Sequence, residues 1–597
     1  MKKLILLLLF GGMITNVQAQ KKENNLLLPG SLDMVGVDQF GRTFHTISGY
    51  KAKKQVGIFY WPWIGQPFAS GIYDATKIAA MPNGLKLLYD FKSLDTAISP
   101  TGQAHFWGEP LWGYYNSADE WVIRRQIKML TTAGIDFIVF DLTNRVTYRS
   151  VYEKVLRIIE EFQQQGWNAP KIVFYTHSKS IETTQVLYND LYKQGLYQNA
   201  WYKVNGKPMI IAYTEPEDDI AEALSRSDSS YKPVPFSQEI LNFFYFKKPQ
   251  WPGDPISQNG FPWIEWKYPQ PLHGNTMSVT VASHPQVPMS RSITSGWINW
   301  GRGWDPEKQK NIEADVDKGT FFQKQWDHAI QTDPDTVFIG GWNEWIAYKQ
   351  PYGDEYMLCD AASKEYSRDI EPMKGGFEDA FYLQMIMNIR KYKGLQAATA
   401  AAGKRSIEIN KSPSQWDAVQ SSYKNIGAKA YPRNSPGATR NLIYQRPAPV
   451  NNLQEIKVSH DDAYIYFYVR AEKEFKQTGP AAKGITIYIG RNEPALKGWN
   501  GYEFMIEQKQ NAKKFTVNKL DENYNITGIG KAAFVIDKNI LQVKISRKQL
   551  AAFNGTKNIY FKVTDGIAHP EDIMDTYLSG SAMPLGRLSY EYRLESK

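Results

Sequence analysis

The feature that most constrains the fold is a repeated alternation of short apolar segments and amphipathic segments between residues 55 and 392. Apolar runs such as Gln55–Tyr60 (QVGIFY) and 135–140 (IDFIVF) have the near-continuous hydrophobicity of strands that are covered on both faces. Segments between them have helical periodicity, as in Phe381, Met385 and Ile389. About eight strands, mostly separated by helices, over roughly 350 residues predict an α/β fold, a parallel (β/α)8 TIM barrel.

The predicted strands are 55–60, 135–140, 171–175, 208–213, 240–246, 263–266, 277–282 and 336–339. The predicted helices are 117–134, 150–165, 182–194, 320–331 and 377–392. Ser117 and Glu120 have the spacing of a capping box at the start of the first of these helices. No glycine-rich nucleotide fingerprint follows the first strand, which argues against a Rossmann fold.

The sequence changes character after residue 394. Residues 395–404 (LQAATAAAGK) are predicted to be a linker, because small residues dominate them. Short alternating strands follow, at 463–469, 485–489, 502–506, 532–536, 541–545 and 559–563. We therefore predict a barrel domain over 20–394 and an antiparallel β-sandwich over 405–597.

The first 19 residues have the pattern of a secretory signal peptide. Lys2 and Lys3 precede the apolar run 4–10, and the small residue Ala19 ends the segment. The apolar run is too short to span a membrane as a helix. No cysteine stands near the cleavage point, so we expect a secreted or periplasmic protein without a lipid or membrane anchor.

Composition narrows the class of protein. Hydrophobic residues make up 42% and charged residues 22%, as in a globular protein. Cys359 is the single cysteine, which excludes an intramolecular disulfide framework and cysteine-cluster metal sites. The net charge of +9 is dispersed, so we expect no nucleic-acid partner; we also expect a monomer. The 18 Trp, 36 Tyr and 28 Phe suit either a dense core or the apolar faces of sugar rings.

The most informative strand end is 335–345 (DTVFIGGWNEW). In a parallel barrel, chemistry is placed just past the carboxyl ends of the strands. Glu344 is there a candidate acid or base, Asn343 can orient a substrate hydroxyl, and Trp342 and Trp345 can exclude water. Lower polarity raises a carboxyl pKa toward the range that an acid catalyst needs.

Glycosidic bonds are normally cut by two carboxyl groups, about 5–5.5 Å apart for retention and about 6.5–9.5 Å apart for inversion. Asp141 and Glu265 are the candidate partners, because each follows a predicted apolar strand or lies between indoles. Each is equally well explained as a structural ion pair or helix cap. Asp354, Glu355 and Asp360, which follow Glu344, are further candidates for the missing acid.

The predicted substrate-binding residues lie at strand ends and in aromatic loops: Trp61, Trp63, Trp107, Glu109, Trp112, Asn144, His177, Trp263, His284, Trp304, Asn343 and Trp345. His177 and His284 also leave a metal-dependent hydrolase open, although they lack metal-ligand spacing. We predict no catalytic metal or cofactor, with a structural calcium in the sandwich left open.

Two stretches carry a family resemblance. The strand followed by WNEW and the stretch RRQIKMLTTAGIDFIVFDLTN resemble glycoside hydrolase family 99 and the related WbsX-like and family 71-like proteins, over roughly residues 50–395. The resemblance implies a (β/α)8 barrel that hydrolyses an α-linked glycan, with Glu344 at the first acid. The family's second acid falls on Ala347 here, and Ile370, Glu371 and Pro372 follow after an insertion. We therefore predict a glycoside hydrolase acting on a poly- or oligosaccharide, and a non-catalytic glycan-binding protein remains the alternative.

The C-terminal domain resembles family 9 carbohydrate-binding modules. The segments SIEINKSPSQWDAV, VSHDDAYIYFYVRAE and GWNGYEFMI are similar to strands of those modules. By that resemblance Trp416, Trp499 and Tyr502 are candidate sugar platforms, and they are equally well explained as core aromatics.

Overall fold

The computed structural model describes most of the chain. The described residues are 34–47, 49–69, 71–92, 97–289, 299–359, 363–395, 404–475, 484–491, 498–508, 514–550 and 556–594. The predicted signal peptide, most of the predicted linker and Asp360 lie outside these ranges. None of the described helices has the length and apolar character needed to cross a membrane.

Eight parallel strands form a barrel. They are β1 Gln55–Tyr60, β2 Phe137–Leu142, β3 Lys171–Thr176, β4 Lys207–Ile211, β5 Tyr245–Gln250, β6 Gly260–Pro262, β7 Thr276–Val279 and β8 Thr336–Ile339. Hydrogen bonds join them in the order β6-β5-β4-β3-β2-β1-β8-β7, and β6 and β7 lie side by side, which leaves the barrel nearly closed. Interior side chains such as Phe59, Val139 and Phe338 fill it. The predicted TIM barrel is confirmed.

Helices lie between the barrel strands in the sequence and follow the last of them. They are α1 Ala75–Ala79, α2 Gly84–Tyr89, α3 Glu120–Ala133, α4 Arg149–Gln164, α5 Ser180–Leu187, α6 Pro216–Ser225, α7 Gln238–Phe243, α8 Thr320–Thr332 and α9 Ala380–Lys393. A π-helical turn, Tyr188–Tyr192, continues α5. Helix α4 buries Val151, Val155 and Ile159 on one face, which is the amphipathic pattern that the sequence indicates.

Three local predictions are wrong. The predicted strand 240–246 begins as helix α7, because the Ser237 side chain accepts a hydrogen bond from the Ile240 N–H and caps a helix there. Residues 263–266 follow β6 rather than forming a strand. Asp119, not Ser117, caps α3 by accepting from the Trp121 N–H, while the Ser117 hydroxyl accepts from the Ile64 N–H instead.

Antiparallel strands form the predicted C-terminal β-sandwich. In order of pairing they are Ser422–Lys424, Leu453–His460, Tyr464–Ala471, Ile540–Ser546, Ile526–Asp537, Phe515–Leu520, Phe504–Glu507, Ile485–Arg491, Asn558–Asp565 and Leu588–Arg593, with Ser581–Met583 also on Asn558–Asp565. A short helix, α10 Asp575–Leu578, precedes the last two. The strand Ile526–Asp537 links the two layers, since its first half pairs with Phe515–Leu520 and its second half with Ile540–Ser546.

The sandwich also contains the beginning of the described chain. Strand Met34–Val37 pairs with Leu588–Arg593, and strand Thr43–Phe44 pairs with Met34–Val37. Residues 34–44, which the prediction includes in the barrel domain 20–394, therefore form part of the sandwich sheet. These residues precede the barrel directly in the sequence, but their backbone hydrogen bonds are with strands of the sandwich.

The sandwich is fixed to the barrel through buried contacts. A hairpin of strands Arg433–Pro436 and Ile443–Arg446 projects from it toward α3. There the Arg433 guanidinium bonds the Asp119 carboxylate at 2.7 Å and the Trp112 carbonyl at 2.9 Å, and both charged side chains are 1% exposed. Arg587 forms a second buried ion pair with Asp379, just before α9. These contacts make the two domains one packed unit.

Candidate active site

The site is built where β8 ends. Gly340 and Gly341 follow the strand, and a Cβ on Gly341 would lie 2.5 Å from the Arg368 carbonyl oxygen. This close approach exists because residues 366–372 return over the turn, where the Ile370 and Glu371 N–H groups donate to the Trp342 carbonyl at 3.2 and 2.9 Å. Glycine is thus needed at 341 to admit the returning segment.

The returning segment holds Glu344. The Glu344 side chain is 5% exposed, and its Oε2 accepts a hydrogen bond from the Arg368 Nη2 at 2.6 Å. The next residue, Asp369, accepts from the Glu344 backbone N–H and from the Trp107 Nε1 at 2.9 Å. Burial raises the pKa of Asp369 from 3.8 to about 6, against the opposing effects of Arg302, Arg368 and its hydrogen-bond donors. Residues 368 and 369 therefore fix the position of Glu344, one through its side chain and the other through its backbone.

Arg368 joins Glu344 to a histidine and an indole. Its Nη1 lies 3.0 Å from His284 Nδ1, and its guanidinium carbon lies 4.7 Å from the centre of the Trp263 ring. A guanidinium has donors only, so His284 Nδ1 accepts and the proton of the neutral imidazole is on Nε2. His284 thereby becomes a hydrogen-bond donor at the carboxyl end of β7.

Asn343 has a structural role. Its Oδ1 accepts from the Trp61 N–H at 2.9 Å, and its Nδ2 donates to the Trp61 carbonyl at 3.1 Å and to the Tyr115 hydroxyl at 3.1 Å. Asn343 is fully buried. It therefore ties the end of β8 to the end of β1, and the prediction that it orients a substrate hydroxyl is not supported by this arrangement.

Glu371 is a buried hub beneath the site. Its carboxylate accepts hydrogen bonds from Trp112 Nε1 (2.7 Å), Tyr115 Oη (2.9 Å), Gln126 Nε2 (2.7 Å) and Trp345 Nε1 (2.5 Å). Burial raises the pKa of Glu371 from 4.5 to about 7, although the four donors oppose the shift. The side chain is fully buried, so its role is to hold the aromatic residues under the site.

Glu371 is expected to make stability depend on pH. The folded chain binds this proton more tightly than the unfolded chain does, so the contribution is full below pH 4.5 and is lost as pH rises to about 7. The loss is on the order of 3 kcal/mol. In Glu371→Gln, an amide NH2 replaces one of the two acceptor oxygens and lies against two hydrogen-bond donors. The variant should therefore have a lower Tm than wild type at pH 5. The difference in Tm should shrink toward pH 8.

The control is Glu522→Gln, an exposed carboxyl in a sandwich turn. Thermal melts of the three proteins between pH 4.5 and 8 would check the prediction. Parallel curves for wild type and Glu371→Gln would contradict it.

Asp141 lies on the inner face of β2. It alternates with Phe137 and Val139, which point into the barrel. Its Oδ1 accepts from the Thr143 N–H at 2.9 Å and the Thr143 hydroxyl at 2.7 Å. Asp141 is thus a carboxylate at the mouth of the barrel, as the sequence predicts, and it remains a candidate partner for Glu344.

Glu265 is engaged elsewhere. Its Oε1 lies 2.5 Å from His273 Nε2, and both side chains are buried. His273 precedes β7 and forms a bridge with Thr276 at the start of that strand. This contact gives Glu265 a buried structural partner, in keeping with the structural alternative that the sequence left open.

An aromatic wall stands beside the carboxylates. Trp251 lies 4.8 Å from Trp263 and 4.4 Å from His177, between ring centres. His177 also lies 3.3 Å from Glu222, which pairs with Arg226. Trp263 and His177 were predicted from the sequence and lie together on this wall.

The remaining residues that were predicted to bind substrate differ in exposure and in their contacts. Trp63 and Trp304 are partly exposed, Glu109 bridges Lys77 and Lys374, and Asn144 donates to the Tyr148 hydroxyl at 2.6 Å. Four indoles are almost fully buried and have no free face for a sugar: Trp61, Trp107, Trp112 and Trp345. Trp107 and Trp345 instead stack on each other at 4.3 Å.

The aromatic residues proposed for the sandwich are also core residues. Trp416 is 1% exposed, Trp499 6% and Tyr502 1%. Trp416 donates to Gln542 at 2.7 Å, and Tyr502 lies 2.6 Å from the Ser589 hydroxyl. Their burial fits the core alternative and leaves no platform at these positions.

The sequence reasoning missed Arg368, Asp369, Trp251 and Glu222. A signal for the first two exists: the charged pair Arg368-Asp369 stands directly before the Glu-Pro element, between Ser367 and Ile370. Among the described residues, no group of three or more His, Cys, Asp or Glu side chains is arranged to hold a metal ion.

Comparisons with known proteins give matches among solved structures. No family model matches the chain, and no curated protein matches it. The chain is similar to the structure of the GH99 endo-alpha-mannosidase from Bacteroides thetaiotaomicron, with 16% identity, 57% of this chain and 98% of that chain covered, and a TM-score of 0.33. The same enzyme in complex with BIS-TRIS-propane matches with 13% identity, 57% and 97% coverage, and a TM-score of 0.31.

The other match concerns a binding module. A carbohydrate binding module family 9 protein from Caldicellulosiruptor kristjanssonii in complex with glucose matches with 11% identity, covering 28% of this chain and 75% of that chain, at a TM-score of 0.15.

Proposed function

We propose that this chain is an exported glycoside hydrolase that acts on a poly- or oligosaccharide. The observation that carries the proposal is Glu344, a buried carboxylate at the carboxyl end of a barrel strand, held by Arg368 beside the Trp263 ring. Parallel barrels place their chemistry at this end. Export rests on the signal-peptide pattern of residues 1–19, and the α-linked class of substrate rests on the WNEW resemblance.

The contacts of Glu344 favour its role as base or nucleophile. A guanidinium at 2.6 Å stabilises the ionised carboxylate, so a base or a nucleophile is the role that this form can fill. Asp141 is the partner that we favour, because it faces the barrel interior, whereas Glu265 is bonded to His273. Trp263, Trp251 and His177 would contact sugar rings, and His284 Nε2–H would donate to a hydroxyl or ring oxygen.

The test is a screen of the purified protein against defined α- and β-linked oligosaccharides, with detection of new reducing ends. We expect cleavage of at least one α-linked glycan. If no reducing ends form from any member of the panel at high enzyme concentration, the proposal fails.

A glycan-binding protein without hydrolysis is the second candidate, and one observation favours it. Ala347 occupies the position of the resembled family's second acid, and it lies buried in the strand Ile346–Tyr352 opposite His105. Calorimetric titration with the same panel separates the candidates, because binding of a glycan that the protein never cleaves would select this one.

A further inference from the structure

A hairpin inserted directly after Glu344 has an exposed aromatic face. It consists of strands Ile346–Tyr352 and Glu355–Leu358, and strand Ala104–Phe106 extends it on the other side. Tyr348 is 48% exposed and Tyr352 is 40% exposed. These two residues and Gln350 point to the same side of the strand, because side chains alternate along it.

The other side of the hairpin is anchored. The Lys349 Nζ donates to the Leu87 carbonyl at 2.9 Å and to the Ser99 carbonyl and hydroxyl at 2.8 Å each. The ammonium also lies 4.4 Å from the centre of the Tyr356 ring, which stacks on Phe91 at 5.2 Å. The strand that carries the exposed tyrosines is therefore anchored, so binding to them would require little ordering of the backbone.

The aromatic chemistry of this face fits a glycan. Phenol rings offer an apolar face with a hydrogen-bonding rim, which matches the C–H face and hydroxyl rim of a sugar ring. Gln350 adds an amide between them. The residues that pair opposite Tyr348, Gln350 and Tyr352 are Ala104, Met357 and Glu355, so one carboxylate borders the distal end of the face and can accept hydrogen bonds from sugar hydroxyls. Within the described part of the chain neither tyrosine hydroxyl has a hydrogen bond and neither ring stacks on another.

The face lies close to the candidate active site along the chain. Tyr348 follows Glu344 by four residues, so their Cα atoms are at most about 14 Å apart. Tyr352 lies about 13 Å farther along the strand. A glycan that reaches from Glu344 to Tyr352 must contain several sugar units.

We propose that Tyr348, Gln350 and Tyr352 form a distal binding platform for the part of an α-linked glycan chain that extends beyond the bond cleaved. The proposal rests on the proposed function for the identity of its ligand. It predicts that the enzyme favours long chains over short ones.

The kinetic test compares Tyr348→Ala/Tyr352→Ala with wild type on a polymer and on a short oligosaccharide of the same linkage. We expect the ratio of kcat/KM for the long substrate to that for the short one to fall about tenfold, mainly through KM. Tyr348→Phe/Tyr352→Phe keeps the rings and should retain most of the ratio. Phe40→Ala is the matched control, since Phe40 is an exposed aromatic (39%) on the sandwich side of the molecule. An unchanged ratio in the double alanine variant would overturn the platform.

A second test does not need activity. Native gels containing α-mannan, dextran or amylose should retard wild type and Phe40→Ala in at least one gel, and the double alanine variant should migrate as in a gel without polysaccharide. If wild type cleaves nothing but shows this retardation, the proposed hydrolysis fails and the platform stands. If wild type is not retarded in any of the gels, the platform is refuted. It is also refuted if sedimentation velocity shows that wild type self-associates and the double alanine variant does not.

Discussion

Glu344→Gln is expected to lower kcat/KM by about 10³-fold or more on any glycan that the wild type cleaves. An amide cannot exchange the proton or attack the anomeric carbon, and it also removes the charge that Arg368 neutralises at 2.6 Å. Glu344→Asp keeps the charge but shortens the side chain, so it should retain more activity than the glutamine variant. Initial rates of reducing-end release provide the measurement.

Substitutions of other carboxyl groups test whether the loss of activity is specific to Glu344. Glu522→Gln changes an exposed carboxyl in the same way and should behave as wild type. Asp141→Asn should approach the loss of Glu344→Gln, whereas Glu265→Gln should chiefly lower Tm, since Glu265 bonds the buried His273. A folded Glu344→Gln protein with wild-type turnover would refute the assigned role.

Asp119→Asn is expected to produce the largest loss of stability among single changes at the interface of the domains. Asparagine still caps α3, so the change isolates the ion pair with Arg433, whose two side chains are each 1% exposed. An uncompensated guanidinium remains between the Trp121 and Tyr444 rings, 5.0 and 4.1 Å from their centres. The expected cost is about 3–5 kcal/mol, which corresponds to a fall in Tm of roughly 2–4 °C if the whole chain unfolds together.

The double variant provides the internal check. Arg433→Met alone leaves the Asp119 carboxylate buried without its partner and should also be destabilising. Adding it to Asp119→Asn removes both charges and should recover part of the lost stability. The control is Asp462→Asn, whose carboxylate is 84% exposed and pairs with Lys404 on the surface. It should change the free energy of unfolding by less than about 1 kcal/mol. Equal effects of the buried and the exposed substitutions would contradict the prediction.

The barrel could be predicted well because the apolar character of each strand is evident from that strand alone. Strands at 171–175 and 336–339 are apolar enough to be identified without their neighbours, and the structure has them at Lys171–Thr176 and Thr336–Ile339. The secondary structure of the segment 238–246 could not be predicted in the same way. Its run ILNFFYF suits either a helix or a strand, and the cap at Ser237 decides between them only when the chain turns there.

The candidate site was predictable only where it depends on strand ends. Glu344 and Asp141 follow apolar strands, so their general location could be inferred. The pairing of Glu344 with Arg368 joins residues 24 positions apart across an insertion, and no spacing rule predicts it. The abundance of tryptophan was ambiguous for the same reason: only the three-dimensional structure distinguishes Trp107, stacked under the site, from Trp263 on its wall.

The pairing of Met34–Val37 with Leu588–Arg593 has a consequence for how the protein is made. The ribosome delivers the first of these strands before the barrel and the second only after nearly all the rest of the chain. Until then the early strand exposes unpaired backbone groups and its apolar residues Met34 and Val35, an edge to which other chains could add. Arg390, near the end of the barrel's last helix, donates to the Met34 carbonyl at 2.5 Å, so this helix also contacts the early strand. The sandwich sheet therefore cannot be completed until residues 588–593 have been made, and a chain truncated before them lacks the partner of Met34–Val37.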